Sequence, residues 1–148
     1  MIYVDESGFE DDMPRTHGCA LKGKRCFGKS DWNAQKRTNV IGALLGKVLL
    51  TVSLFFATVN TDVFLTWLEK DLIHKLPKNS VVIMDNASFH KSTKIKNLIE
   101  KHGHILEYLP PYSPDLNPIE PKWAQSKKLR RKQQCSIDDL FKKNVATL

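Results

Sequence analysis

A single α/β domain built on a mixed sheet is the fold this sequence predicts, and three observations predict it. Before residue 60, β-branched and aromatic runs follow one another across glycine-containing turns, as in an antiparallel meander. After residue 60, apolar residues switch to helical spacing and strand-length runs alternate with helices, an order that calls for parallel pairing through right-handed crossovers. The chain has 148 residues, enough for one compact domain and too few for two comfortable ones.

The elements follow in order. Ile2-Tyr3-Val4 reads as a short buried strand with Asp5 at its end and Ser7-Gly8 as its break. Gly18, Gly23 and Gly28 punctuate residues 16–29 as in a hairpin. Asn39 to Leu45 and Val48 to Val59 are strands separated by a tight turn at Gly46-Lys47. From Asp62, apolar residues fall at Phe64, Trp67, Leu68, Leu72 and Leu76, a helix capped by Asn60 or Thr61 and stopped by Pro77. Ser80 to Met84 is a strand ending in Asp85. Ser92 caps a helix carrying Ile95, Leu98 and Ile99, which Gly103 closes, and His104 to Leu109 is the next strand.

Residues 110–121 contain five prolines, too stiff for a central strand. A helix start follows: Asn117 as N-cap, Pro118 at the first helical position and Glu120 where a capping-box acid sits, with the helix running through Trp123 to about Arg131. Ser136 opens a last helix with Leu140, Phe141 and Val145 inward. Trp67 and Trp123 read as core by the same spacing, whereas Trp32 lies in a polar loop between Asp31 and Asn33.

Composition bounds the function. Apolar residues make up 41% and charged residues 26%, ordinary for a globular chain. Lys and Arg number 23 against 16 Asp and Glu, and the net charge of +7 favours a polyanionic partner. No stretch approaches the ~18 apolar residues of a membrane span, and Met1 to Glu6 lack a basic n-region, so a cytoplasmic location is expected. The three cysteines form no C-x-x-C pair and fit a reduced thiol inventory. His17, Cys19 and Cys26 match no common zinc-knuckle spacing, and zinc is set aside. Charge is uneven: residues 1–13 hold five acids and no base, residues 15–47 eight bases and one acid, and residues 121–148 eight bases and two acids.

Three carboxylates occupy telling places. Asp5 and Asp85 each follow an apolar strand, and strand carboxyl ends line the ligand crevice of an open α/β sheet. Glu120 lies in the first turn of a helix. Two strand-end acids and one helical acid suit hard divalent cations, which take oxygen ligands. Each acid singly also fits a bland role: Asp85 as a turn acid, Glu120 as a cap, Asp5 as a surface group.

The words around them weigh the other way. They are Asp5-Glu6-Ser7-Gly8-Phe9, then Met84-Asp85-Asn86-Ala87-Ser88-Phe89-His90-Lys91, then Leu109-Pro110-Pro111-Tyr112-Ser113-Pro114-Asp115-Leu116-Asn117-Pro118-Ile119-Glu120-Pro121-Lys122-Trp123. Here the sequence resembles the catalytic domain of DDE transposases, specifically bacterial insertion-sequence transposases related to the mariner elements. The 34 residues between Asp85 and Glu120 match that group's spacing, and the resemblance covers essentially residues 1–148.

The resemblance implies a ribonuclease H-like fold, a mixed five-stranded sheet of order 3-2-1-4-5 flanked by helices. It implies that Asp5, Asp85 and Glu120 are catalytic and bind Mg²⁺ or Mn²⁺ as two ions. Asn86 and His90 then support the site, and Glu6 faces the other side of the sheet. The implied partners are double-stranded DNA, as transposon ends and target, and a second copy of the transposase. The implied reaction is strand cleavage followed by strand transfer. Lys22, Lys24, Arg25 and Lys29 in the first basic segment, and Lys122, Lys127, Lys128, Arg130, Arg131 and Lys132 on or after the Glu120 helix, are candidate phosphate contacts.

Such transposases carry helix-turn-helix modules ahead of the first aspartate. This chain begins four residues before Asp5, so that region is expected to be absent, as in a catalytic fragment, one frame of a split gene or a truncated relic. Two rival functions follow: a ribonuclease H-like nuclease that only hydrolyses, and an idle DNA-binding or dimerisation fragment. The long proline-rich motif argues against the first, and the intact acids argue against the second.

Overall fold

Nine residues, Ile2–Glu10, form the central strand β1 of the computed structural model, which describes residues 1–10, 22 and 37–144. Strand β2 (Arg37–Leu45) lies antiparallel to β1, with Asp5 opposite Gly42. Strand β3 (Val48–Phe55) pairs antiparallel with β2 across a turn in which Gly46 takes φ 61°, open to glycine without a Cβ penalty. A bulge between Ala43 and Leu44 shifts that register.

β1 also runs further than the sequence suggests. Ser7-Gly8 does not break it, because β2 supplies partners as far as Glu10, with Gly8 opposite Asn39 and Phe9 opposite Thr38. Non-local ladder bonds outweigh the poor strand propensity of a glycine. Asp5 therefore sits mid-strand rather than at a strand end.

Beyond β3, Asn60 caps helix α1 (Thr61–Trp67) by accepting from Val63 N at 2.9 Å. A π-helical turn, Leu68–Leu72, and α2 (Ile73–Lys75) continue it toward Pro77. Strand β4 (Val81–Met84) then pairs parallel with β1, Val4 opposite Met84. Helix α3 (Thr93–Lys101) is capped by Ser92, and β5 (Ile105–Tyr108) pairs parallel with β4. Helices α4 (Glu120–Gln133) and α5 (Ile137–Asn144) end the described chain, the latter capped by Ser136 Oγ, which accepts from Asp139 N at 3.1 Å. The five-stranded sheet has the order β3-β2-β1-β4-β5, as expected.

The period of two along each strand divides the core between the sheet's faces. Ile2, Val4, Ile41, Ala43, Val82 and Met84 bury one face under Phe64, Trp67, Leu68 and Leu72 of the first helical stretch and Ile95 and Ile99 of α3. Phe9, Val40, Leu44 and Leu49 bury the other face under Ile119, Trp123, Leu140 and Phe141. Among the described residues no helix is long and apolar enough to cross a membrane. The expected hairpin at 16–29, the cysteines at 19 and 26, His17, Trp32 and Val145 lie outside the described residues. Cys135 is a half-buried free thiol.

Candidate active site

Register brings the first two acids together. Val4 faces Met84 across a parallel pair, so the next residues, Asp5 in β1 and Asp85 just past the end of β4, lie at the same end of that pairing. The Leu109 N–H bonds Met84 O at 2.8 Å, which carries the following proline-rich loop past Asp85. That loop includes a 3₁₀ turn at Pro114–Leu116 and delivers Glu120 to the start of α4. Asp5, Asp85, Asn86, Asn117 and Glu120 line one cavity of about 460 Å³, with Leu109 to Pro114 along its rim.

The start of α4 differs from the sequence expectation. The helix begins at Glu120, and Ile119 holds the cap position with helical backbone and no side-chain capping bond. Asn117 is extended, as a residue before proline must be, and its backbone carbonyl takes the Glu120 N–H at 3.1 Å. The donor its side chain would have capped is thus already used. No capping box forms, Glu120 lines the cavity instead, and Asn117 Oδ1 is buried without a partner among the described residues.

Asp5 is only 6% exposed. Burial, then the carboxylates of Glu120 and Glu6, push its pKa up to about 7. A hydrogen bond from Trp123 opposes that rise, and Asp85 adds a smaller like-charge push. Trp123 Nε1 donates to Asp5 Oδ2 at 3.1 Å. The indole reaches that position by lying over Gly42, the residue opposite Asp5. A Cβ at 42 would come within 2.5 Å of Trp123 Cη2. Trp123 is core, as its spacing suggested, but it also ties the helix bearing Glu120 to the strand bearing Asp5. Only the tertiary contact reveals that second task.

Asp85 has the opposite environment. His90 Nδ1 lies 2.5 Å from Asp85 Oδ1, and the Ala87 N–H bonds the same oxygen at 3.1 Å. The hydrogen bond from His90 holds the Asp85 carboxyl below its ordinary range despite partial burial, with the Ala87 N–H helping. His90 is itself fully buried, and its Nε2 lies 2.9 Å from Glu6 Oε1. Burial alone would depress its pKa, but the bonds to Asp85 and Glu6 outweigh it and raise it to about 9. The ring is therefore an imidazolium at neutral pH, donating from both nitrogens. Glu6 projects to the opposite face from Asp5, where it holds His90, and sequence reasoning gave it no such role.

The candidate phosphate contacts divide. Lys128, Arg131 and Lys132 are exposed on α4, and Lys22 is exposed in a turn. Lys122 and Lys127 are half-buried, with Lys127 Nζ 5.3 Å from the centre of the Phe9 ring. Arg130 is a correction: it is buried, and its guanidinium donates to Glu10 O at 2.6 Å and Cys135 O at 3.3 Å. It joins β1 to the α4–α5 turn because its position on α4 turns inward with Trp123 and Ser126. Lys24, Arg25 and Lys29 lie outside the described residues.

An acid on the central strand, a second just past the end of its parallel neighbour, a third on a following helix and the order 3-2-1-4-5 define the ribonuclease H-like class. Within it, the chain belongs to the DDE superfamily endonucleases, whose family model matches residues 1–140. No curated protein sequence is significantly similar to the chain. Among solved structures, the Mos1 transposase paired-end complex with its left transposon end matches with a TM-score of 0.70 at 20% identity, over 87% of this chain and 41% of that one. The catalytic domain of the Mos1 mariner transposase matches at 0.61 and 16% identity, over 95% of this chain and 65% of that one. A simian T-cell lymphotropic virus intasome matches at 0.63 and 9% identity, over 95% of this chain. The chain spans about two fifths of the length of the first of these.

Proposed function

We propose that this chain is the catalytic domain of a transposase, cleaving and rejoining DNA at the cavity lined by Asp5, Asp85 and Glu120. The observation that carries the reading is that cavity: three carboxylates, one with its pKa raised to about 7 by burial and like charge, in a protein of net charge +7. Such crowding is costly to the bare protein and matches a site whose charge balance is completed by something cationic.

The donor set fits a divalent metal. Asp5, Asp85 and Glu120 offer only hard oxygen ligands, as Mg²⁺ or Mn²⁺ prefers. Asp5 Oδ2 and Asp85 Oδ1 are steadied by Trp123 and His90, and the carboxylates of Asp5, Asp85 and Glu120 would still offer lone pairs to a cation. Among the described residues no group of three or more His, Cys, Asp or Glu is drawn closely enough to hold an ion by itself. The acids surround the cavity and would complete a ligand set together with substrate phosphate. We take the number of ions as two. When bound, such a pair activates an attacking oxygen and stabilises the leaving one in phosphodiester displacement.

The chain's own groups have distinct tasks. His90, charged at neutral pH, keeps Asp85 ionised, and Trp123 fixes the Asp5 carboxylate against the Glu120 helix. Water attacks the phosphorus at the element's end and the P–O3′ bond breaks, freeing a 3′ hydroxyl. That hydroxyl then attacks a target phosphodiester, forming a new P–O bond as the target's own 3′ oxygen leaves as a hydroxyl. Lys128, Arg131, Lys132 and Lys22 hold the phosphate backbone, so affinity falls steeply with salt. The partners are double-stranded DNA and, in the working transposase, a second copy of the chain. We place the chain in the cytoplasm, associated with the nucleoid, on the resemblance to bacterial insertion-sequence transposases.

Plasmid nicking in Mg²⁺ or Mn²⁺ tests the reading. Asp85→Asn and Glu120→Gln keep the side-chain size and remove the charge, and each is expected to reduce nicking at least ~100-fold while melting near the parent temperature in EDTA. Retained nicking in Glu120→Gln would remove that residue from the site. Loss of metal-free stability in both variants would make the acids structural.

A further inference from the structure

The loop between β5 and α4 presents an aromatic ring that contributes nothing to the core. Tyr112 is 102% exposed, so its side chain rests on no other part of the described molecule. Its backbone has φ 57°, in the left-handed region that bulky residues rarely enter. Two other described non-glycine residues share that region, each for an ordinary reason. Asn79 is of a type that tolerates it, and Gln134 terminates α4. Tyr112 follows Pro111 in a turn, at a position where such turns ordinarily place Gly or Asn rather than a bulky aromatic. Pro110, Pro111 and Pro114 restrict the backbone on both sides, so the ring stands on a stiff arm, with the half-exposed Leu116 following on the same arm.

Position separates Tyr112 from other exposed apolar residues. Val48 and Phe56 flank β3, and Ile105 opens β5, so these three sit at the edge strands of the sheet. Tyr112 instead lines the rim of the cavity that holds Asp5, Asp85 and Glu120.

We propose that Tyr112 is a nucleobase-stacking platform: its ring stacks on an unpaired base of the DNA strand whose phosphodiester enters the carboxylate cavity. The inference rests on the reading of that cavity as a DNA site and names the part of the substrate held at its lip. A phosphodiester drawn into a concave cavity pulls its nucleotide out of register with the stack. A flat aromatic at the mouth replaces the stacking contact that is lost. Stacking of this kind is sequence-tolerant because every base has a π face. The preset backbone removes the ordering cost that a mobile side-chain arm would incur on binding.

The test uses the full chain in EDTA with two DNA probes, a duplex ending in an unpaired flap that contains 2-aminopurine and the same duplex fully paired. The parent and Tyr112→Phe are expected to bind the flap and quench 2-aminopurine fluorescence alike. Tyr112→Ala and Tyr112→Gly are expected to bind the flap at least ~5-fold more weakly and lose the quench, with paired-duplex affinity changed less than ~2-fold. Glycine accepts the left-handed backbone without a side chain, so an unchanged melting temperature in Tyr112→Gly ties the loss to the ring rather than to misfolding. Equal affinity and quench in parent, Ala and Gly variants would overturn the platform, as would a parent that never quenches. A parent that quenches through Tyr112 but never nicks in Mg²⁺ would keep the platform and overturn the strand-cleavage reading. A parent that nicks, beside a Tyr112→Ala variant with unchanged KM and quench, would overturn the platform alone.

Discussion

The two sides of the sheet treat neighbouring carboxylates in opposite ways. On the α4–α5 side, Asp5 is buried beside other acids and has one neutral donor, the Trp123 indole, so its pKa rises to about 7. On the α1–α3 side, Glu6 and the loop acid Asp85 share His90, whose charge holds Asp85 below its ordinary value. Burial by itself raises both aspartates. The sign of the outcome depends on whether the nearest donor is a neutral dipole or a cation. Asp85 thus has a cation of the protein's own beside it, whereas Asp5 has none among its described hydrogen-bond partners.

Asp5→Asn should break that asymmetry most visibly. The folded pKa of Asp5, about 7, lies above its ordinary 3.8, so ionising it disfavours the fold, and the penalty grows as pH rises from 3.8 through 7. Metal-free Asp5→Asn is therefore expected to exceed the parent in stability by on the order of 3 kcal/mol at pH 8, with the gap closing toward pH 4. Urea denaturation at several pH values in EDTA measures it. Parallel parent and variant profiles would mean that Asp5 is not destabilised.

His90→Gln sharpens the other half. The folded pKa of about 9 exceeds the ordinary 6.5, so the bridge's contribution is fully present below pH 6.5 and is lost as pH rises through 9. The variant should lose roughly 2–3 kcal/mol at pH 6 and much less at pH 10. Glu6→Gln should give a smaller loss of the same pH dependence. An NMR titration placing the imidazole pKa at or below 6.5 would contradict both.

Gly42→Ala and Trp123→Phe probe the neutral donor. The added methyl strikes the indole, and overpacking of this kind costs about 1–3 kcal/mol. Trp123→Phe keeps an aromatic and removes the N–H, so the Asp5 pKa should climb further and the pH–nicking profile move to higher pH. An unmoved profile would show that the indole only fills space.

The smallest effects concern α4's cations. Arg131→Ala should leave stability within about 0.5 kcal/mol and lower the salt slope of DNA binding by ~1. Arg130→Ala, one position earlier, should cost stability by roughly 2 kcal/mol, because two part-buried hydrogen bonds and the packing of a buried side chain are lost. Identical behaviour of the two variants would dissolve the distinction between them.

Local pattern determined much of this protein. Period-two and helical spacing, with the caps at Asn60, Ser92 and Ser136, mark all five strands, β1 only in its first part, and most helices, because each depends on neighbours a few residues away. The motif words around Asp5, Asp85 and Glu120 also mark the acids that meet in one cavity. Tertiary structure decided the rest. β1 runs through Ser7-Gly8 only because β2 pairs with it, and Asn117 fails as a cap because its own backbone takes the donor. Arg130 is a strut because α4 turns that face inward, and Glu6, Trp123 and Gly42 gain their tasks from partners on distant strands and helices. The physical reason is common to all of these. A side chain's polarity is written in the sequence, whereas its pKa, burial and partner are set by residues that only the packed sheet brings within a few ångströms.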